Sequence, residues 1–160
     1  MSGYYDVAQI CLNGHVINPS VRTSPEFNAD FCELCGAQTI MDCGNCQSPI
    51  RGRYHTDGFF DFGSYAAPSY CIKCGEPYLW MQSALDAAFE LVEFSEVLNT
   101  ADKEDLKQSI ANIVQETPKT SLAVMKFKKY AVKAGKEVAG GLKDVLVEVV
   151  SETVKKAIWG

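Results

Sequence analysis

Four pairs of side chains able to bind a soft metal stand in the first half of the sequence: Cys11 with His15, Cys32 with Cys35, Cys43 with Cys46, and Cys71 with Cys74. Three are CxxC units; the first spaces cysteine and histidine by one residue more. Two thiolates on one tight turn can reach the same ion while backbone N–H groups soften their charge. Gly36 and Gly75 follow the second cysteine of two units and ease that turn. Seven thiols and one imidazole make eight ligands, and a structural zinc takes four. The expectation is two tetrahedral Zn²⁺ sites per chain with no cysteine left over. Sequential pairing puts Cys11, His15, Cys32 and Cys35 on site 1, and Cys43, Cys46, Cys71 and Cys74 on site 2. The enclosed loops are then 16 and 24 residues, with 7 residues between the sites. A cross-braced arrangement would join the first pair to the third and the second to the fourth. Sequential pairing is preferred because each half then closes its own hairpin. Catalytic zinc keeps an open position, so these filled sites read as structural. Redox dithiols, a catalytic metal and an iron–sulfur cluster are the alternatives.

The elements that must position these ligands divide by composition. The 160 residues are 47% apolar and 22% charged, the balance of a folded, soluble chain. No apolar run approaches a membrane span, and the opening residues lack a basic stretch followed by an apolar one. A cytoplasmic protein is expected, in which clustered cysteines bind metal rather than form disulfides. All seven cysteines precede residue 75. Net charge is −4 over residues 1–77, −6 over 78–117 and +5 over 118–160. The expected organisation is a double zinc ribbon over 1–77 and a helical domain over 78–160, acidic to 117 and basic amphipathic beyond. Membrane-spanning, collagen-like and purely helical-bundle architectures are excluded.

Residues 4–10 read as a strand feeding the first knuckle. The loop over 47–70 carries Arg51, Arg53, Tyr54, His55, Phe59, Phe60, Phe62, Tyr65 and Tyr70. Basic residues among aromatics can bind single-stranded nucleic acid; the preferred reading is that the aromatics supply a small core. With zinc bound to its thiolates this half stands at about −7, which disfavours a polyanion. His55 reads as a polar contact. No nucleophile has an evident base partner, and P-loop, dinucleotide and HExxH motifs are absent, so no enzyme is expected.

Residues 79–98 lack Gly and Pro and place Met81, Leu85, Ala88 and Val92 at helical spacing, beside an acidic strip of Glu90, Glu93 and Glu96. A second helix has acid in its first turn and a stripe of Leu106, Ile110, Ile113 and Val114. Thr117 and Pro118 read as N-cap and first residue of a third. There Lys126, Lys129, Lys133 and Lys136 line up, a basic face suited to lipid, phosphate, an acidic partner or the chain's own acidic segment. Gly135, Gly140 and Gly141 signal a break or close helix packing. The segment 142–159 reads as a wide-faced apolar helix, either core or oligomer interface. The fold class is α+β: tandem zinc-ribbon β-hairpins followed by three to four helices.

The CLNGH, FCELCG, DCGNC and YCIKCG units resemble the double zinc ribbon, a tandem of rubredoxin-like knuckle pairs, over residues 7–77. That resemblance implies fold and not activity. YDVAQICLNGH, the IRG at 50–52 and the tail from TPKTSLAV resemble an uncharacterised bacterial family across most of the chain. The tail is also similar to C-terminal segments of other poorly characterised bacterial proteins, some associated with phage defence. The expected function is a zinc-binding adaptor with a helical docking or oligomerisation region, its protein partner unidentified. The alternative is nucleic-acid binding through Arg51, Arg53, Tyr54, His55 and the four lysines.

Overall fold

The computed structural model describes residues 3–59 and 63–160, so Phe60 and Phe62 of the aromatic loop lie outside the described residues. The architecture is mixed α+β: small antiparallel sheets in the N-terminal half, then five helices. The chain divides into two units, Met1–Gln82 and Ser83–Gly160, each with its own core.

In the first unit, the strand expected over 4–10 is two strands with a step at Ala8. β1 (Gly3–Val7) pairs antiparallel with β5 (Arg51–Thr56). β2 (Gln9–Cys11) lies between β3 (Val16–Asn18) and β4 (Thr39–Ile40). Between them Ala8 donates its N–H to the Ile50 carbonyl (2.9 Å), which ties the two sheets together. The β1–β5 register slips between Tyr5 and Val7, a bulge that sets Val7 opposite Arg51.

Two side-chain choices explain how short strands hold this shape. Gly52 runs so close to its neighbours that a Cβ would sit 2.4 Å from the Pro19 oxygen and 2.8 Å from the Val7 carbonyl carbon. Both are backbone atoms, so only glycine fits. Asp6 is buried, and its carboxylate accepts from the amides of Val7 (2.7 Å), Arg22 (2.8 Å) and Thr23 (3.0 Å) and from the Thr23 hydroxyl (2.5 Å). Desolvation alone would raise its pKa; these donors outweigh that and hold it below the ordinary aspartate value. Gln9, also buried, donates to the Ala29 carbonyl (2.9 Å) and accepts from the Ala29 amide (3.0 Å), and buried Asn18 donates to the Ser24 carbonyl (2.8 Å); these bonds fix the loop that carries Cys32.

The core of this unit is Ala8, Ile10, Ile50, Cys43, Cys71 and Tyr78, with Tyr65 and Trp80 packed against it. Tyr65 therefore answers the expectation of aromatics as core, whereas Tyr54 and Phe59 are exposed.

The second unit contains five helices in place of three to four: α1 (Leu79–Glu93, opening in the first unit), α2 (Thr100–Gln115), α3 (Thr120–Ala134), α4 (Lys136–Leu146) and α5 (Glu152–Trp159). α1 stops five residues short of the expected 98. There the Ser95 hydroxyl accepts from the Val97 and Leu98 amides, an alternative to helical bonding, and Lys103 binds the Glu93 carbonyl (3.1 Å). Asn99 caps α2 through the Asp102 amide (2.8 Å). α3 begins at Thr120 rather than 118, because residues 117–119 form a turn in which Thr117 accepts from the Lys119 amide (3.1 Å).

The glycines act separately. Gly135 takes φ 103° and divides α3 from α4. Gly141 lies inside α4, where a Cβ would come 3.0 Å from Leu91 of α1, so it permits close packing. The expected helix over 142–159 is broken after Leu146. Ser151 starts α5 by accepting from the Val154 amide (3.3 Å). Its apolar face is core: Leu142, Leu146, Val150 and Val154 are buried, with Ile158 and Trp159 packed against them. Among the described residues no helix is long and apolar enough to cross a membrane.

Candidate metal centres

Each CxxC unit folds into the same turn. The first cysteine's N–H binds the carbonyl five residues on: Cys32 to Ala37, Cys43 to Ser48, Cys71 to Glu76, at 2.8–2.9 Å. The residue after the second cysteine donates back to the first: Gly36, Gln47 and Gly75, at 2.7–2.9 Å. That residue has φ 74° in Gly36, 61° in Gln47 and 76° in Gly75. The left-handed conformation explains the two glycines, and Gln47 adopts it at a steric cost. The amide two residues after each first cysteine points at its sulfur: Leu34, Asn45 and Lys73, all at 3.4 Å. The first knuckle achieves this with one more residue. Gly14, at φ 93°, closes the turn and lies against Trp80, and the His15 amide is 3.3 Å from the Cys11 sulfur.

The knuckles meet in sequential pairs. Cys11, His15, Cys32 and Cys35 form one cluster and Cys43, Cys46, Cys71 and Cys74 the other, with the ligand atoms of each within 4.8 Å of one another. In the first, Cys11 Sγ is 3.7 Å from Cys35 Sγ, and His15 Nδ1 is 3.4 and 3.6 Å from the sulfurs of Cys11 and Cys32. In the second, Cys43 and Cys74 are 3.8 Å apart, and Cys46 and Cys71 3.6 Å. Metal–sulfur bonds of about 2.3 Å in a tetrahedron set sulfurs about 3.8 Å apart, and a nitrogen ligand brings its edges to about 3.6 Å. Disulfide sulfurs would be at about 2.05 Å. Both donor sets therefore fit a tetrahedral ion and are compatible with zinc.

The polypeptide also prepares thiolates. Cys35 is lowered to about 6, first by the Asn13 side-chain amide (3.3 Å) and then by the Ala37 amide. Cys71 is lowered to about 6 by the amides of Cys74 and Lys73. Burial pushes Cys11 the other way. Cys46 is lowered as well, by the Ser48 hydroxyl and amide, so each cluster has at least one thiol biased towards the thiolate that binds a cation. Asn13 escaped the sequence reading; its position inside the first knuckle was the signal. A family model matches residues 4–158.

The chain belongs to that family, described as uncharacterized protein conserved in bacteria (DUF2321). No curated protein and no solved structure matches it significantly.

The remaining candidates fall into two groups. Arg51, Arg53, Tyr54 and His55 lie together on β5. The Arg51 guanidinium covers the Tyr5 ring at 4.1 Å, and Tyr54 meets that ring edge-on at 5.0 Å. Arg53 donates to the Gly63 carbonyl (3.0 Å), and His55 Nε2 lies 3.6 Å from the Asp57 carboxylate. Of the lysines, Lys126, Lys129 and Lys133 are on α3, and Lys136 opens α4. Lys133 pairs with Asp102 at 2.6 Å, and Tyr130 donates to Asp105 at 3.0 Å, so part of the basic helix faces the chain's own acid. Lys129 lies 5.5 Å from the Tyr130 ring.

Proposed function

We propose that the protein is a zinc-binding interaction module. Two zinc ions per chain hold a double ribbon, and the helical region docks onto protein. One observation carries this reading: each cluster has four donors and together they use every cysteine, so no position is left for a reacting molecule. Large apolar side chains meanwhile stand outside both cores, among them Phe27, Phe31 and Leu34 in the first unit and Leu122, Met125 and Val132 on α3. Zinc takes the place of apolar burial in a unit with a small core. The tail's resemblance to phage-defence proteins suggests a setting of that kind.

A second reading follows from the exposed Arg51–Tyr5–Tyr54 cluster, against which a base of single-stranded nucleic acid could lie. It predicts oligonucleotide binding that strengthens as salt is lowered and is lost in Arg51→Ala. Elemental analysis of the purified full-length chain tests the first reading. Two zinc ions per chain, and thiols that resist alkylation until a chelator is added, are expected. One ion, iron in place of zinc, or seven freely reactive thiols would overturn it.

A further inference from the structure

A groove of about 370 Å³ adjoins the first cluster, lined by Val16, Ile17, Phe27, Phe31 and Leu34 and reaching His15 and Cys32. Phe27, Phe31 and Leu34 are 66%, 64% and 75% exposed. The segment that builds this wall, residues 25–35, carries Glu26, Asp30 and Glu33, all exposed, and no cation. Glu33 lines the groove itself, and Glu26 and Asp30 adjoin its wall residues Phe27 and Phe31 in the chain.

α3 presents the complementary surface. Leu122, Met125 and Val132 are 53%, 70% and 82% exposed. At 100° per residue they fall in one stripe, with Lys129 inside it between Met125 and Leu122, Lys128 on one border and Lys126 and Lys133 on the other. Residues 119–136 contain six lysines and no carboxylate. An apolar stripe carrying and flanked by lysines fits an apolar slot lined by Glu33, in the manner of an amphipathic helix laid in a groove.

We propose that the groove beside the first cluster receives α3 of a second copy of the chain. A second copy supplies helix and groove together, and the reciprocal contact closes a two-fold dimer with two identical junctions. An anionic lipid surface would use the lysine-bordered stripe but would leave the acidic slot without an occupant. The inference rests on the interaction-module reading and names its partner.

Charge reversal in the full-length, zinc-loaded protein tests it, with molar mass read by light scattering on a size-exclusion column over a wide concentration range. Wild type is expected to be a dimer. Lys128→Glu/Lys129→Glu, and separately Asp30→Lys/Glu33→Lys, are each expected to weaken it by about tenfold or more. Mixing the two variants, or combining all four substitutions in one chain, sets opposite charges face to face again and is expected to restore the dimer. That rescue separates a lost contact from a lost fold. A wild-type monomer, a dimer indifferent to both reversals, or reversal without rescue would overturn the proposal. So would a monomer whose α3 lysines bind phosphatidylglycerol vesicles. In every case a count of two zinc ions per chain leaves the underlying reading standing, and a lower count removes it.

Discussion

Each metal cluster has two deeply buried cysteines, Cys11 and Cys32 in the first and Cys43 and Cys71 in the second. But Cys43 and Cys71 pack with Ala8, Ile10, Ile50 and Tyr78 in one apolar cluster, whereas Cys35 of the first is exposed and its neighbours Phe31 and Leu34 face solvent. The knuckles are nearly the same in both, down to the 3.4 Å amide contact on the first cysteine of each CxxC. Local spacing therefore sets how a cluster is made, and burial around it sets what depends on it. The second cluster is part of the core. The first holds a loop wall in place beside a groove.

The largest effect that sharpens this contrast is expected from removing one ligand at a time. Where a fold is built on it, a structural zinc contributes about 10–16 kcal/mol, as much as the whole stability of an ordinary domain. Cys71→Ser is expected to unfold the first unit, read as loss of its thermal transition. Cys35→Ser should lose one zinc and keep that transition. Equal damage from the two would break the distinction.

Gly52→Ala comes next, because its Cβ meets backbone that cannot turn aside. A loss of about 3 kcal/mol in chemical denaturation of the zinc-loaded chain is expected. A loss below about 1 kcal/mol would mean that β1 and β5 can separate without harm.

Asp6→Asn should cost about 2–3 kcal/mol, by weakening four charge-assisted hydrogen bonds. The folded pKa of Asp6 is depressed, so its contribution is present above the unfolded value near 3.8 and lost as pH falls through the lower folded value. The stability gap between wild type and variant should therefore be full at pH 6 and close below about pH 4. A gap unchanged at pH 3 would contradict the charged reading of this contact.

The smallest effect is a gain. Gln47 holds the left-handed position that glycine fills in two sister knuckles. Gln47→Gly is expected to stabilise by about 0.5–1 kcal/mol, net of its lost bond to the Gly44 carbonyl. A destabilised variant would show that this bond outweighs the strain.

The knuckles are legible in sequence because CxxC and a following glycine are local features that need little help from elsewhere. The helices are legible where apolar periodicity is strong, as along Leu106, Ile110 and Ile113, all fully buried. Their ends are less so. Ser95 and Ser151 stop or restart helices through hydroxyl–amide bonds, and nothing in periodicity distinguishes them from surface serines. Asp6 reads as one more acidic residue until the chain brings Arg22 and Thr23 to it. The groove wall was equally hidden, since Phe27, Phe31 and Leu34 look like core residues and only the fold leaves them outside.

The most direct test of the contrast between the clusters is the order in which they give up metal. Zinc-loaded, full-length protein would be treated with increasing chelator, with released zinc, alkylated cysteines by peptide mass mapping and the far-ultraviolet spectrum followed together. The account predicts that Cys11, Cys32 and Cys35 become reactive first, with one zinc released and the first unit still folded, and that Cys43, Cys46, Cys71 and Cys74 follow only as it unfolds. Simultaneous labelling of all seven, or loss of the second cluster first, would contradict it.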